Sequence, residues 1–127
     1  MPLSTDQSHA IREQIAECLA ADLDEIVPAA NFFNDLGGES IDVLDLTFRI
    51  EKRLGVRPNF AVMKEEAALD FDESGRLTPE SLTRARTLFP DLPIPADGAI
   101  APRDLFTVAM IEAIVARALA AIPSETA

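Results

Sequence analysis

The chain has 127 residues, 48% of them apolar and 26% charged, an ordinary balance for one globular domain with a single modest core. Its formal net charge of −11 excludes the basic footprint that nucleic acids and anionic membrane surfaces require, and favours basic protein partners or cations. A single cysteine rules out an internal disulfide, and with neither an apolar leader nor a bilayer-length run in view, a monomer in the cytoplasm is expected.

After a polar start, Asp6 or Ser8 is placed to cap a first helix running to about Leu23. Ile11, Ile15, Cys18, Leu19 and Asp22 or Leu23 fall near one face and Arg12, Glu13 and Glu17 outside it, the pattern of an amphipathic bundle helix. Cys18, on the apolar face, reads as a structural thiol. His9 lies near a frayed end with no second His or Cys ligand, and is assigned neither a metal nor a catalytic role. Pro28 stops any continuation, and residues 24 to 38 read as a long loop whose Ile26, Phe32, Phe33 and Leu36 must tuck into the core.

The stretch from Asn31 to Gly55 organises the rest. Gly37 and Gly38 let the backbone turn, and Ser40 follows where a helix start would use its oxygen as an acceptor for orphan N–H groups. Beyond it the residues separate at 100° steps into two apolar stripes. Val43, Leu46, Ile50 and Leu54 suit a bundle core, while Ile41, Leu44 and Phe48, beside Ser40, form a second patch for a partner, a ligand or extra core. Gly55 ends the helix.

This stretch resembles the acyl carrier and peptidyl carrier protein family in the run Asp35-Leu36-Gly37-Gly38-Glu39-Ser40-Ile41. The resemblance implies that Ser40 carries a 4′-phosphopantetheine arm, attached by a phosphopantetheinyl transferase, whose thiol holds an acyl group as a thioester. It further implies docking of acyl-transferring and acyl-modifying enzymes, through basic surfaces, on the helix after Ser40. Asp42, Asp45 and Glu51, with Glu39 in the motif, match acidic docking positions, and Ile41, Leu44 and Phe48 match apolar ones. Arg49, Lys52 and Arg53 depart from the family by making the end of this helix basic.

Residues 8 to 57 carry the resemblance continuously; from there the chain is longer than the family's usual form. Arg57-Pro58-Asn59 can start a helix whose contacts would be Phe60, Val62, Met63, Ala67, Ala68 and Leu69. A clearer helix runs from Pro79 to Leu88, with Thr78 as cap, Glu80 in its first turn, Pro90 after its end, and Leu82, Ala85, Leu88 and Phe89 on its contact side. The Pro-rich residues 91 to 98 make an extended connector to a last helix, Asp104 to about Ala121, apolar nearly all round and so in need of cover. Its start, Asp104-Leu-Phe-Thr-Val, again resembles the carrier family, which makes residues 58 to 100 an enlarged connection.

The expectation is an all-α, carrier-like helical bundle in one domain, residues 1 to 127, with the final helix in 101 to 122. No Ser, His and acid arrangement can be assembled from one terminal histidine, so Ser40 is read as a modified residue rather than a catalyst and the chain as no enzyme. Two alternatives remain open. One is a structural helical domain with Ser40 unmodified. The other is a calcium-responsive domain: Asp70, Asp72, Ser74, Gly75 and Thr78 imitate the first, third, fifth, sixth and ninth positions of a calcium loop, although the twelfth holds Ser81 where a bidentate Glu belongs and Glu80 comes one place early.

Overall fold

The computed structural model describes residues 3–60, 69–90 and 94–121. Within them lie four α-helices, α1 (Thr5–Leu19), α2 (Ser40–Leu54), α3 (Pro79–Leu88) and α4 (Val108–Ala120), two 3-10 turns, Leu23–Glu25 and Pro102–Leu105, and no strand. Three isolated antiparallel bridges staple loops together: Asn31 with Thr107, Phe71 with Leu77, and Arg76 with Ala99. The architecture is the all-α bundle that the helical periodicities predict.

α1 begins earlier than Asp6 or Ser8 would set it. Ser4 Oγ accepts from the Gln7 N–H at 3.0 Å while Gln7 Oε1 accepts from the Ser4 N–H at 2.9 Å, a reciprocal capping box that satisfies two orphan donors. The helix also ends short of Leu23, at Ala20, which takes a left-handed conformation at φ 53°. Leu23 therefore opens a 3-10 turn and is largely exposed instead of extending the buried stripe.

The core forms where α1 packs against both α2 and α4. Ile11 and Ile15 of α1 meet Leu46 and Ile50 of α2 and Val108, Met110, Ile111, Ile114 and Val115 of α4 in one cluster, all essentially sealed from water. Each such side chain contributes ~1.5–3 kcal/mol by leaving water. Ala109, Ala113, Ala118 and Leu119 pack partly buried against the same cluster, which accounts for a last helix apolar nearly all round.

That last helix starts later than Asp104. Thr107 is its cap, with Oγ1 accepting from the Met110 N–H at 3.2 Å, and residues 102–105 form the preceding 3-10 turn. Phe106, between turn and helix, places its ring 5.3 to 5.5 Å from those of Phe32, Phe33 and Phe60. The long loop is thereby anchored as its apolar residues require: Ile26 and Phe32 are buried, Phe33 and Leu36 half-buried.

α3 has the predicted bounds, with Thr78 Oγ1 accepting from Ser81 N at 3.3 Å and Pro79 at the first position. Ala85 and Phe89 are buried and Leu82 packs partly, but Leu88, expected on the contact side, is 55% exposed. The helix expected after Arg57, with Val62, Met63, Ala67 and Ala68, lies outside the described residues. Phe60 and Leu69, on either side of that gap, are buried.

Candidate functional site

The loop that delivers the chain to α2 is held by Asn31, a buried polar residue whose side chain uses its full hydrogen-bonding capacity. Its Nδ2 donates to the carbonyls of Arg103 and Asp104, both at 3.1 Å, and its Oδ1 accepts from the N–H groups of Phe33 and Asn34. Asn34 Nδ2 adds a bond to Asp104 Oδ1 at 2.7 Å. The 3-10 turn before α4 and the loop before α2 are thus one joined unit.

Gly37 and Gly38 follow. Gly37 has φ +75°, the left-handed region that favours glycine, with open space around it. Gly38 is there for room: a Cβ would stand 2.4 Å from the Phe32 ring, and the Gly38 N–H donates to Phe32 O at 2.8 Å.

Ser40 is the first residue of α2, and the cap position belongs to Glu39. The Glu39 N–H donates to Asp42 Oδ2 at 2.8 Å, and the Asp42 N–H donates to the Glu39 carbonyl at 2.9 Å. This corrects the expectation that the serine oxygen serves the orphan N–H groups. The Ser40 side chain is exposed and, among the described residues, its hydroxyl has no hydrogen-bond partner. It lies between two clefts. One, of about 510 Å³, runs between α2 and residues 57–60 and is lined by Leu44, Phe48, Arg57 and Phe60 among others. The second, of about 460 Å³, is lined by Phe33, Gly38, Glu39, Ile41 and Arg103.

The two stripes of α2 separate as the spacing predicts. Leu46 and Ile50 are buried, with Val43 and Leu54 packed beside them, whereas Ile41, Leu44 and Phe48 are 72%, 56% and 49% exposed. The acidic positions on this helix are all engaged within the chain. Asp42 holds the Glu39 N–H, Asp45 accepts from Arg49 Nε at 2.9 Å, and Glu51 Oε1 accepts from Arg57 Nε and Nη2 at 3.1 and 2.8 Å. The bond from Arg49 holds the Asp45 carboxyl below its ordinary pKa. Arg57 also lies over the Phe48 ring, 5.3 Å from its centroid.

The basic end of α2 has a related explanation. Arg49 and Arg53 reach across to Glu17 and Glu13 of α1, at 3.4 and 3.3 Å, so these two charges serve the α1–α2 contact. Cys18 of α1 donates from Sγ to the Asp42 carbonyl at 3.4 Å, and burial, followed by the neighbouring Asp45, pushes its thiol up to about 12.

Elsewhere, His9 pairs with Glu13, one turn on, on the exposed side of α1. In the 70–81 loop, Asp72 Oδ1 accepts from Ser74 N, Ser74 Oγ and Arg76 N, an Asx turn folded onto its own backbone. The Asp70 N–H donates to the buried Ser81 Oγ at 2.9 Å. Among the described residues no group of three or more His, Cys, Asp or Glu side chains converges as a metal site. Asn31, Arg57 and Arg103 are the site residues that sequence reasoning passed over. Each owes its place to a partner in another segment, and only Asn31 carried a local signal, as a turn-forming residue within the loop.

Residues 9–68, which take in most of α1, the loop and α2, match the family described as the phosphopantetheine attachment site. Over 61 residues the chain is 33% identical to an acyl carrier protein of Zymomonas mobilis subsp. mobilis, an alignment covering 47% of this chain and 78% of that protein. No solved structure matches the chain. Taken over the helices that present Ser40, the two matches establish that the chain belongs to the acyl carrier protein family, carriers whose cofactor is 4′-phosphopantetheine.

Proposed function

We propose that Ser40 bears the 4′-phosphopantetheine arm and that the protein carries acyl intermediates on it as thioesters, in fatty acid, lipid or polyketide-type biosynthesis. The observation that carries this reading is the Ser40 hydroxyl itself: exposed, unbonded, at the first residue of α2 and open to clefts on both sides. The site fits the group, because an oxygen with no competing bond is available for esterification and the helix start favours an anion. In the attachment step Ser40 Oγ loses its proton and bonds to a phosphorus of coenzyme A as the pyrophosphate linkage breaks and the adenosine bisphosphate leaves. The arm, once bound, supplies the thiol.

The partners in this reading are a phosphopantetheinyl transferase and acyl-transferring or acyl-modifying enzymes. The exposed row Ile41, Leu44 and Phe48 supports apolar contact, with Glu39, Asp42, Asp45 and Glu51 as its acidic rim toward basic surfaces. Because three of those four acids have internal partners, apolar contact is the larger part of docking here. The whole chain is read as one monomeric carrier domain of the cytoplasm, with residues 58–100 as its enlarged connection. Among the described residues no helix is long and apolar enough to cross a membrane.

The test is intact mass after incubation with coenzyme A and a broad-specificity phosphopantetheinyl transferase, with Ser40→Ala treated identically. Wild type alone should gain one phosphopantetheinyl group. Gain by the alanine variant would move the attachment site, and a folded wild type that stays unmodified with several transferases would remove the reading.

A further inference from the structure

We propose that Arg103, in the 3-10 turn before α4, is a positioning residue whose guanidinium faces the phosphodiester on Ser40 and holds the root of the arm against the loop-side cleft. The inference rests on the Ser40 reading. Four observations carry it. Arg103 and Ser40 line the same cleft. The Arg103 backbone is fixed there, since its carbonyl accepts from the buried Asn31, which is bonded on its other side to the loop leading to Ser40. The guanidinium is stacked over Phe33, 5.1 Å from the ring centroid, a contact that orients the group and leaves its N–H edge available. Among the described residues, Arg103 forms no ion pair, so its charge is not already spent.

Charge balance gives the reason for such a residue. Esterification of Ser40 adds a fixed negative charge between Glu39 and Asp42, on a chain already at −11. Like charges this close oppose one another, and a cation on the same cleft offsets them. Arg57, on the other cleft, is a weaker candidate because Glu51 already takes two of its donors at 3.1 and 2.8 Å. An arginine is also suited to paired bonds with two phosphate oxygens, which a lysine cannot reproduce.

The experiment compares wild type, Arg103→Gln, Arg103→Lys and Arg57→Gln, each loaded by a transferase and verified by intact mass. Arg103→Gln keeps the backbone carbonyl that Asn31 uses, and an otherwise unchanged amide spectrum verifies its fold. The readouts are the arginine Nε–Hε resonance lost in both Arg103 variants, followed from apo to holo wild type, and the ³¹P resonance of each loaded protein. The inference expects the Arg103 resonance to move on loading. It also expects the ³¹P resonance to be displaced in Arg103→Gln, less so in Arg103→Lys, and to be unchanged in Arg57→Gln. Full loading with no movement of either signal overturns the inference and leaves the carrier reading intact. Absence of loading on folded wild type overturns both.

Discussion

Gly37 and Gly38 occupy the same turn for different physical reasons, and alanine separates them. Gly37→Ala meets no atom but forces a side chain into the left-handed region, a cost of about 1–2 kcal/mol. Gly38→Ala drives a Cβ into the Phe32 ring and carbonyl, at the joint that fixes the loop to the aromatic cluster, and the displacement passes to Ser40 two residues on. We expect Gly37→Ala to lower the urea midpoint while retaining loading, and Gly38→Ala to lower both stability, by about 1–3 kcal/mol, and loading rate. Asn31 is a third such residue. Asn31→Ala leaves two carbonyls and two N–H groups without their partners, and a loss of about 3 kcal/mol is expected in urea unfolding.

The elements differ in how much of their form is written locally. α3 is bounded by Thr78, Pro79 and Pro90, all adjacent to its ends, and its limits are readable from sequence. α1 carried an equally local signal in Ser4 and Gln7, a Ser-x-x-Gln box that Asp6 and Ser8 obscured as competing caps. α4 hides its start because Leu105, Phe106 and Val108 continue the apolar run through the Thr107 cap, and only packing of Phe106 on Phe32 and Phe60 makes the break necessary. The site divides in the same way: Ser40 and the row Ile41, Leu44 and Phe48 follow from spacing within one helix. The Asn31 bond to Arg103 crosses 72 residues and no pattern announces it. For α2 the separation of faces predicts a separation of effects. Leu44→Glu, on the exposed face, should leave stability within about 0.5 kcal/mol, because no core contact is lost. It should slow phosphopantetheinylation by about tenfold or more, the equivalent of one lost interface anchor. Thermal unfolding and initial loading rates measure the two effects side by side.

Across the whole molecule, charge is unevenly deployed. The chain carries 22 acidic against 11 basic residues, yet three of the basic ones, Arg49, Arg53 and Arg57, are drawn to α2 and its exit, where each finds an acid. The helix read as the docking element is therefore far less acidic than the protein, and its contacts are the more apolar for it. Titration supplies a second global test. The Cys18 thiol, ordinarily at 9.0, is raised to about 12 by burial and by Asp45, so the folded state keeps a proton that the unfolded chain releases. Stability contributed by this group is complete below pH 9.0 and declines as pH rises from there toward 12. Chemical unfolding below and above pH 9.0 should register that decline in wild type, and Cys18→Ala should lack this part of it. The same suppressed ionisation bears on cargo retention. A thioester is lost most readily to another thiolate, and this chain contains one native thiol, seated beneath the first turn of α2. Burial and the neighbouring Asp45 push that thiol up to about 12, so at neutral pH it stays protonated and transthioesterification from the proposed arm onto the carrier's own cysteine is disfavoured.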